Sequence, residues 1–522
     1  MFRKIYRKII CRDLKSQTDE KTTGGTKEPI PDSLGQVKQR LAEVFSCCAD
    51  FATREVESGC GAVLLVAYIK GLAQNDAIDR SVIKPLLSAG KSGSAERINR
   101  ADAIEMLRDH VLISCEVEEY DALSDIINQM LLGKTAVFAD GSRRALAAST
   151  TGFEARGVEQ PDTNVVVRGP REGFTEVLTT NLSLLRRKIR NPELKFEMIK
   201  LGSRTNTAVC ISYINNLVNG ETVQTVRDRL NKINMDSILE SGYIEEMIED
   251  APLSIFATVG NAEKPDIVAA KLLEGRVAIL CDGTPFVLTV PYLFIETIQV
   301  SEDYYSRPYY SSFVRLLRLV ALIITTVVPA LYVALISFHQ DMLPTELMIR
   351  IGASREGLPF SAFVESLMMV VIFELLREAG VRMPKSVGQA VNIVGALVIG
   401  QAAVDAGLVS DIMVIIIAIT AISSFIVNPM TGATTLVRIA MLAAASLLGL
   451  MGIGLAVTAI FTHMCSLSSF GVPYMSPVSP LTVSDLKDTI VRAPLWAMLK
   501  RPKVNRMQDE YRMQSDKGKR QP

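Results

Sequence analysis

Six polar side chains stand in stretches that are otherwise fit for lipid. Glu365 and Glu374 interrupt the apolar run 360–376, and Gln389, Asn392, Gln401 and Asp405 interrupt 387–409, where Gly388, Gly395 and Gly400 also sit. Carboxylates and amides at membrane depth are costly and normally face a bundle interior or a water-filled path. The chemistry open to them is therefore conduction or its gating. Gln401 and Asp405 are four apart and share a helix face. Glu365 and Glu374 are nine apart and take opposite faces, so one is expected to meet a partner helix and the other water. The plainer alternative, polar groups that only hold helices together with glycines permitting close approach, stays open at this point.

Other chemistry is disfavoured. Gly90-Lys91-Ser92 ends like a phosphate loop, but Pro85 occupies the position of the first glycine and lacks the N–H that a phosphate cradle needs. Adjacent carboxylates such as Glu118-Glu119 and Glu245-Glu246 do not share a helix face and read as solvated surface. The chain has only three histidines, dispersed at His110, His339 and His463, so neither a catalytic triad nor a zinc site can be assembled from them. No enzyme activity, cofactor or metal is expected.

The elements that must hold the polar residues follow from charge placement. The 56 basic and 56 acidic residues cancel, but nearly all lie before about residue 318 or after about residue 484. That asymmetry marks a membrane protein with soluble flanks, and the balance gives no reason to expect nucleic acid. The eight cysteines show no Cys-x-x-Cys spacing and suit a reducing compartment, which puts the soluble part in the cytoplasm. Met1–Arg12 alternates basic and apolar residues without the continuous apolar core of a signal peptide. It reads as a disordered basic arm or a weak contact with a membrane surface. A polar linker follows at about 15–30.

The soluble half repeats itself. VLLVAYIKGLA (Val63–Ala73) matches AVCISYINNLV (Ala208–Val218), with Tyr68 opposite Tyr213. SDIINQMLLGKTAVFADGS (Ser124–Ser142) matches PDIVAAKLLEGRVAILCDGT (Pro265–Thr284) at a similar offset. Each copy closes on Asp-Gly between two apolar runs, a strong hairpin signal because the turn needs positive φ. Helical stretches are expected at Ile104–Val117 and Glu221–Glu249. The fold class is thus an α/β N-terminal region of two tandem, similar α/β subdomains followed by an all-α transmembrane domain. The expected divisions are 1–32 arm and linker, 33–158 and 163–298 subdomains, 299–318 junction, 319–463 transmembrane domain, and 464–522 polar tail.

In the membrane half Leu319–Phe338 is long enough to span, with Pro329 inside it. Ile412–Val437 and Ile439–Phe461 are apolar and separated only by Arg438. The run 360–376 is expected to stop at Gly380 and Pro384. Basic residues flank both ends of the domain (Arg315 and Arg318 before it; Lys487, Arg492, Lys500, Arg501, Lys503 and Arg506 after it), which requires an even number of crossings. Four spans are expected, or six. The segment of Glu365 or Asp405 is then re-entrant or interfacial, and Met342–Leu358 is a further interfacial candidate.

Several segments carry a family likeness. GPREGFTEVLTTNLSLLRRKIRNPELKFEMIKLGSRTNTAV (Gly169–Val209), SEDYYSRPYYSSFVRLLR (Ser301–Arg318), PALYVALISFHQDMLP (Pro329–Pro344), SREGLPFSAFVESLMMVVIFELLREAGVRMP (Ser354–Pro384) and GQAVNIVGALVIGQAAVDAGLVS (Gly388–Ser410) together resemble the A subunits of GerA-type spore germination proteins. The likeness covers about residues 33–480. It implies an inner-membrane subunit of a spore nutrient receptor, with soluble domain and tail on the core side. Its implied partners are a transporter-like B subunit, a lipoprotein C subunit and further copies of itself, with a pentamer the expected size. The implied activity is cation conduction, which adds weight to Glu365, Glu374, Asn392, Gln401 and Asp405 as pathway residues.

Within the likeness, Arg171, Glu172 and Glu176 are expected to open a helix running to Ile189, acidic early and basic late as suits a helix dipole. Arg204 is expected just before the first strand of the second subdomain. With Asn181, these residues are read as a subdomain or subunit interface. Glu302, Asp303, Tyr304, Tyr305 and Arg307 stand where soluble domain meets membrane and are read as coupling residues. The alternatives are a stage V sporulation AF-type paralogue that amplifies germination and, from another class, a secondary transporter. The transporter is disfavoured because the duplicated unit is soluble.

Overall fold

The computed structural model describes residues 28–58, 62–88, 107–108, 116–152, 168–383, 400–427, 430–482 and 485–498, with single positions and pairs beyond. The basic arm, the Gly90-Lys91-Ser92 string, most of the helix expected at 104–117, and Asn392 lie outside the described residues. The chain divides into two compact units, Met1–Phe45 with Asp50–Phe153, and Ser46–Ala49 with Glu154–Pro522.

In the first unit α1 (Leu34–Val44) precedes β1 (Phe51–Glu57) and β2 (Val63–Ile69). Helical turns α2 (75–88), β3 (Val117–Tyr120), α3 (Leu123–Leu131), β4 (Thr135–Ala139) and β5 (Ala145–Ala148) follow. Its sheet runs β1-β2-β4-β5-β3 with every pair antiparallel.

The second unit begins with the same pattern. It contains α4 (Leu178–Lys188), β6 (Leu194–Leu201), β7 (Thr207–Ile214), α5 (Gly220–Lys232), α6 (Ser241–Ile248), β8 (Gly260–Ala262), α7 (Pro265–Leu273), β9 (Val277–Cys281) and β10 (Val287–Val290). The order β6-β7-β9-β10-β8 repeats that of the first sheet. The duplication read from sequence is therefore a duplication of topology. Val209, Ile211, Ile279 and Cys281 face α5 and α6, while Cys210, Ala278 and Leu280 face α4 and α7. Helices on both sides bury both faces, which is why β4, β5, β9 and β10 are apolar without alternation.

The Asp-Gly hairpins do more than turn. Gly141 and Gly283 have φ of 81° and 91°, as the turns require. The Asp282 carboxylate also accepts from the Leu178 N–H at 3.0 Å, capping α4, and Gly283 N–H donates to the Glu176 carbonyl at 2.8 Å. In the first unit Asp140 accepts from Leu34 N–H and Gly141 donates to Asp32 in the same arrangement.

Two expectations are corrected here. α4 starts at Leu178, so Arg171, Glu172 and Glu176 lie in an extended approach to it. Arg204 follows a strand, β6, and sits in the turn to β7. β1 and β6 are edge strands that carry charged residues (Arg54, Glu55 and Glu57; Lys195, Glu197 and Lys200), and a search for continuous apolar runs passes over them.

The helical C-terminal region follows: α8 (Glu302–Tyr305), α9 (Pro308–Phe338), α10 (Thr345–Arg355), α11 (Ala362–Arg382), α12 (Asp411–Ile426) and α13 (Thr431–Ser466). α9 and α13 are long and apolar enough to cross a membrane. α9 starts well before Leu319 and runs through Pro329. α11 passes Gly380 and ends at Arg382, beyond the expected stop. The break in the last apolar stretch is at Gly449 (φ 60°, ψ −137°), a glycine-only conformation, and not at Arg438. A Cβ on Gly452 would strike the Ala444 carbonyl. Residues eight apart in a straight helix are separated by about 12 Å, so the chain folds back on itself at this bend, with Phe338 at the end of α9 and the following His339 packed against Gly449. A small hairpin, Ser468–Ser469 with Val472–Pro473, follows α13.

Candidate functional site

Among the described residues of the second unit, several clusters of charge are buried, and three of them involve the candidate residues. The first joins the second subdomain to α9. Asp303 is buried and receives Arg315 Nε at 3.0 Å and both Arg318 amino groups at 2.7 and 2.9 Å. Arg315, fully buried, also donates to the Asp488 carboxylate at 2.8 Å and to the Asp488 and Thr489 carbonyls. The Tyr304 hydroxyl donates to Asp488 at 2.7 Å, while the Arg315 and Arg492 guanidiniums approach the Tyr304 ring at 5.4 and 5.6 Å. Burial, and then the Asp488 charge, push the Tyr304 hydroxyl well above its ordinary value.

The expected junction residues divide accordingly. Asp303 and Tyr304 lie in this cluster. Tyr305 donates to Asp266 of α7 at 2.7 Å, and Glu302 accepts from the Arg168 N–H at 3.2 Å. Arg307 is exposed, and its backbone serves as the N-cap position of α9. Sequence reasoning took Arg315 and Arg318 for markers of membrane sidedness. Their spacing of three, on one helix face with Asp303 just upstream, is the signal that was available for the pairing. Asp488 and Arg492 lie more than 170 residues from their partners and gave none.

The second cluster lies where α10, α11 and α12 meet. Glu365 is fully buried and accepts from the Ser410 N–H and hydroxyl, which cap α12, and from Arg355 at 3.1 Å. The Tyr332 hydroxyl lies 3.4 Å from Ser410 Oγ. The third cluster centres on Glu374. It pairs with buried Arg438 of α13 at 2.6 Å, with Arg377, and with the Thr435 hydroxyl at 3.1 Å. Glu365 and Glu374 do occupy opposite faces of α11, but neither is left to water. α11 is wedged between α12 and α13, so both faces lie against helices.

Gln401 and Asp405 share a face as expected, with Gln401 Nε2 donating to Asp405 at 2.9 Å, and both are exposed on the chain. Gly407 (φ 64°) closes that helical turn, and Leu408 N–H bonds back to the Ala403 carbonyl.

The remaining candidates tie the approach to α4. Asn181 is buried and bonds Thr175 through its amide N at 2.6 Å and its oxygen at 2.8 Å. Glu172 pairs with Lys188 at 3.1 Å and Arg187 at 3.4 Å, bracing the end of α4 opposite the one expected. Burial raises its carboxyl pKa, but the two cations outweigh that and leave it below the ordinary value. Arg171, Glu176 and Arg204 are exposed. Among the described residues no cluster of His, Cys, Asp and Glu could hold a metal.

Comparison with known proteins agrees with the motifs. The model of the Bacillus/Clostridium GerA spore germination protein family matches residues 39–504. Spore germination protein KA of Bacillus subtilis is 45% identical over 93% of this chain and 89% of its own length. Spore germination protein GerLA of Bacillus cereus is 37% identical over 92% of this chain and 97% of its own. Among solved structures, the N-terminal domain of the A subunit of the Bacillus megaterium spore germinant receptor GerK3 is 32% identical, covers 52% of this chain and 98% of that one, and has a TM-score of 0.42. With nearly its whole length matched, the chain belongs to the GerA family of spore germination proteins.

Proposed function

We propose that this protein is a membrane subunit of a spore germinant receptor that helps trigger germination in response to nutrients. It does so by oligomerising, as a pentamer, into a ligand-gated cation channel, and it is not an enzyme. The observation that carries this reading is the exposed Gln401–Asp405 pair on an otherwise apolar helical region. An acidic side chain facing hydrocarbon costs about 2.5–3.5 kcal/mol. That cost disappears when further copies of the chain enclose the pair around water. Glu365 and Glu374, already paired inside the chain, are then gating residues that hold helices in register, and Gln401 and Asp405 belong to the path. Asn392 keeps its place as a path candidate from sequence alone.

Topology supports the reading. α9 leaves the second subdomain, and the segment after α13 returns to it, with Tyr292 N–H donating to Ser469 Oγ at 2.9 Å and Phe294 N–H to the Tyr474 carbonyl at 3.0 Å. That return fits an even number of crossings. Four crossings, or six, satisfy this. Soluble subdomains and tail lie on the core side of the spore inner membrane. A transporter-like B subunit and a lipoprotein C subunit complete the receptor.

Substituting Asp405 by Asn tests this. Spores carrying the variant should release monovalent cations more slowly or with altered ion preference, and liposomes holding the wild-type chain should show passive cation leak. Gradient-coupled solute uptake would identify a transporter instead.

A further inference from the structure

The loop after α6 belongs to the second subdomain by sequence, yet it is anchored on the helical region. Ser254 Oγ lies 3.0 Å from His463 Nε2 near the end of α13. The Phe256 ring is 6.1 Å from the same imidazole. Phe256 is buried in the apolar cluster that holds Val333 of α9 and Met441 of α13, and Ala251 packs against that cluster. Between these anchors Leu253 is completely exposed (101%) and Ile255 is exposed as well. A loop pinned on both sides, with Phe256 buried, leaves Leu253 wholly in the open and Ile255 41% exposed.

What they meet is indicated by the surface beside them. Leu455, Val457 and Phe461 are exposed on α13 in the turns leading to His463. On a membrane-crossing helix such residues face acyl chains. Ser254, between Leu253 and Ile255, touches His463, so the loop stands at the level where that apolar helix ends. Apolar side chains held at such a boundary enter it, since leaving them in water gains nothing and burying them is favourable.

We propose that the 252–257 loop inserts Leu253 and Ile255 into the headgroup–acyl boundary of the lipid leaflet on the subdomain side. This rests on the membrane reading given above. The second subdomain is then held against the bilayer by its own loop as well as by α9, so lipid packing bears on the same subdomain that carries the Asp303–Arg315 cluster.

The chain contains one tryptophan, Trp496, which allows a clean test. In a Trp496→Phe background, Leu253→Trp is made in the full chain and reconstituted into phosphatidylcholine vesicles with and without spin-labelled lipid. Blue-shifted emission that is quenched by the spin-labelled lipid and spared by aqueous iodide is the expected result. Emission quenched by iodide alone overturns the proposal. So does emission shielded from both quenchers, which would mean that a second copy of the chain covers the loop. Leu455→Trp, on the outer face of α13, separates the two levels of inference. If its emission is quenched by lipid and that of Leu253→Trp is not, the loop assignment fails alone; if neither is quenched, the membrane reading fails with it. Ile255→Trp repeats the measurement should the first variant fold poorly.

Discussion

Glu365 receives two hydrogen bonds from Ser410, from its N–H at 2.6 Å and its hydroxyl at 2.5 Å, across 45 residues of sequence. The start of α11 is thereby fastened to the start of α12, and Arg355 of α10 neutralises the carboxylate. Removing one member of a buried pair leaves its partner's charge uncompensated, at a cost of about 3–5 kcal/mol. Glu365→Ala should lower the melting temperature of the detergent-solubilised protein accordingly. Ser410→Ala, which removes a helix cap and leaves the ion pair, should cost about 1 kcal/mol. Equal effects would mean that the ion pair contributes nothing.

Arg315 binds Asp303 and Asp488 at once. The effects of Asp303→Asn and Asp488→Asn should therefore be non-additive, with a coupling of about 0.5–3 kcal/mol in a double-mutant cycle on unfolding. Arg315→Lys should fail to restore stability, since a single ammonium cannot span the same acceptors. Strict additivity would show that the two carboxylates are independent.

The bend in α13 depends on two glycines for different reasons. At Gly449 the backbone conformation excludes other residues, and an added Cβ would lie 2.8–2.9 Å from His339 and Phe338. At Gly452 it would meet the Ala444 carbonyl. Gly449→Ala and Gly452→Ala should each destabilise by about 1–3 kcal/mol. Gly454→Ala, with open space around it, should be close to neutral. The ranking can be read from thermal denaturation of the three variants.

Glu245 of α6 has its carboxyl pKa pushed up to about 7, first by burial and then by the neighbouring Glu249 and Glu240 charges. Between the ordinary carboxylate range and about pH 7 the folded chain holds a proton that the unfolded chain has lost. Stability therefore falls as pH rises through this window, by at most about 3 kcal/mol. Glu249, shifted upward as well, adds to the same slope. Glu245→Gln should flatten the dependence and raise stability at pH 8. An unchanged profile from pH 5 to 8 would contradict the assignment.

The Asp282 cap on α4 and its Asp140 counterpart give a further comparison. Asp282→Ala should cost about 1 kcal/mol. Asp140→Ala should cost less, because its bond to Leu34 is longer, at 3.4 Å against 3.0 Å. Chemical denaturation of the full chain reads both.

The sequence by itself determined the separation of soluble and apolar regions, the duplicated α/β unit with its Asp-Gly turns, and the family. Each of these is written in local composition or in residues near one another along the chain. Periodicity placed α3, α7 and the buried strands because burial on both faces leaves continuous apolar runs. It missed β1 and β6, edge strands whose charged side chains break up the apolar run. It also started α4 too early, since a run of charged residues resembles a helix opening until Asp282, from the far hairpin, is seen to cap Leu178. Only the tertiary structure decided what the charges do. Glu374 and Arg438 are 64 residues apart, and Arg315 and Asp488 are 173 apart, yet each pair is in contact. In an apolar surrounding a charge is tolerated only beside its partner, and which partner it finds depends on how the helices stack. The fold-back at Gly449 belongs to the same class, because a glycine in an apolar run does not reveal whether the chain will bend there.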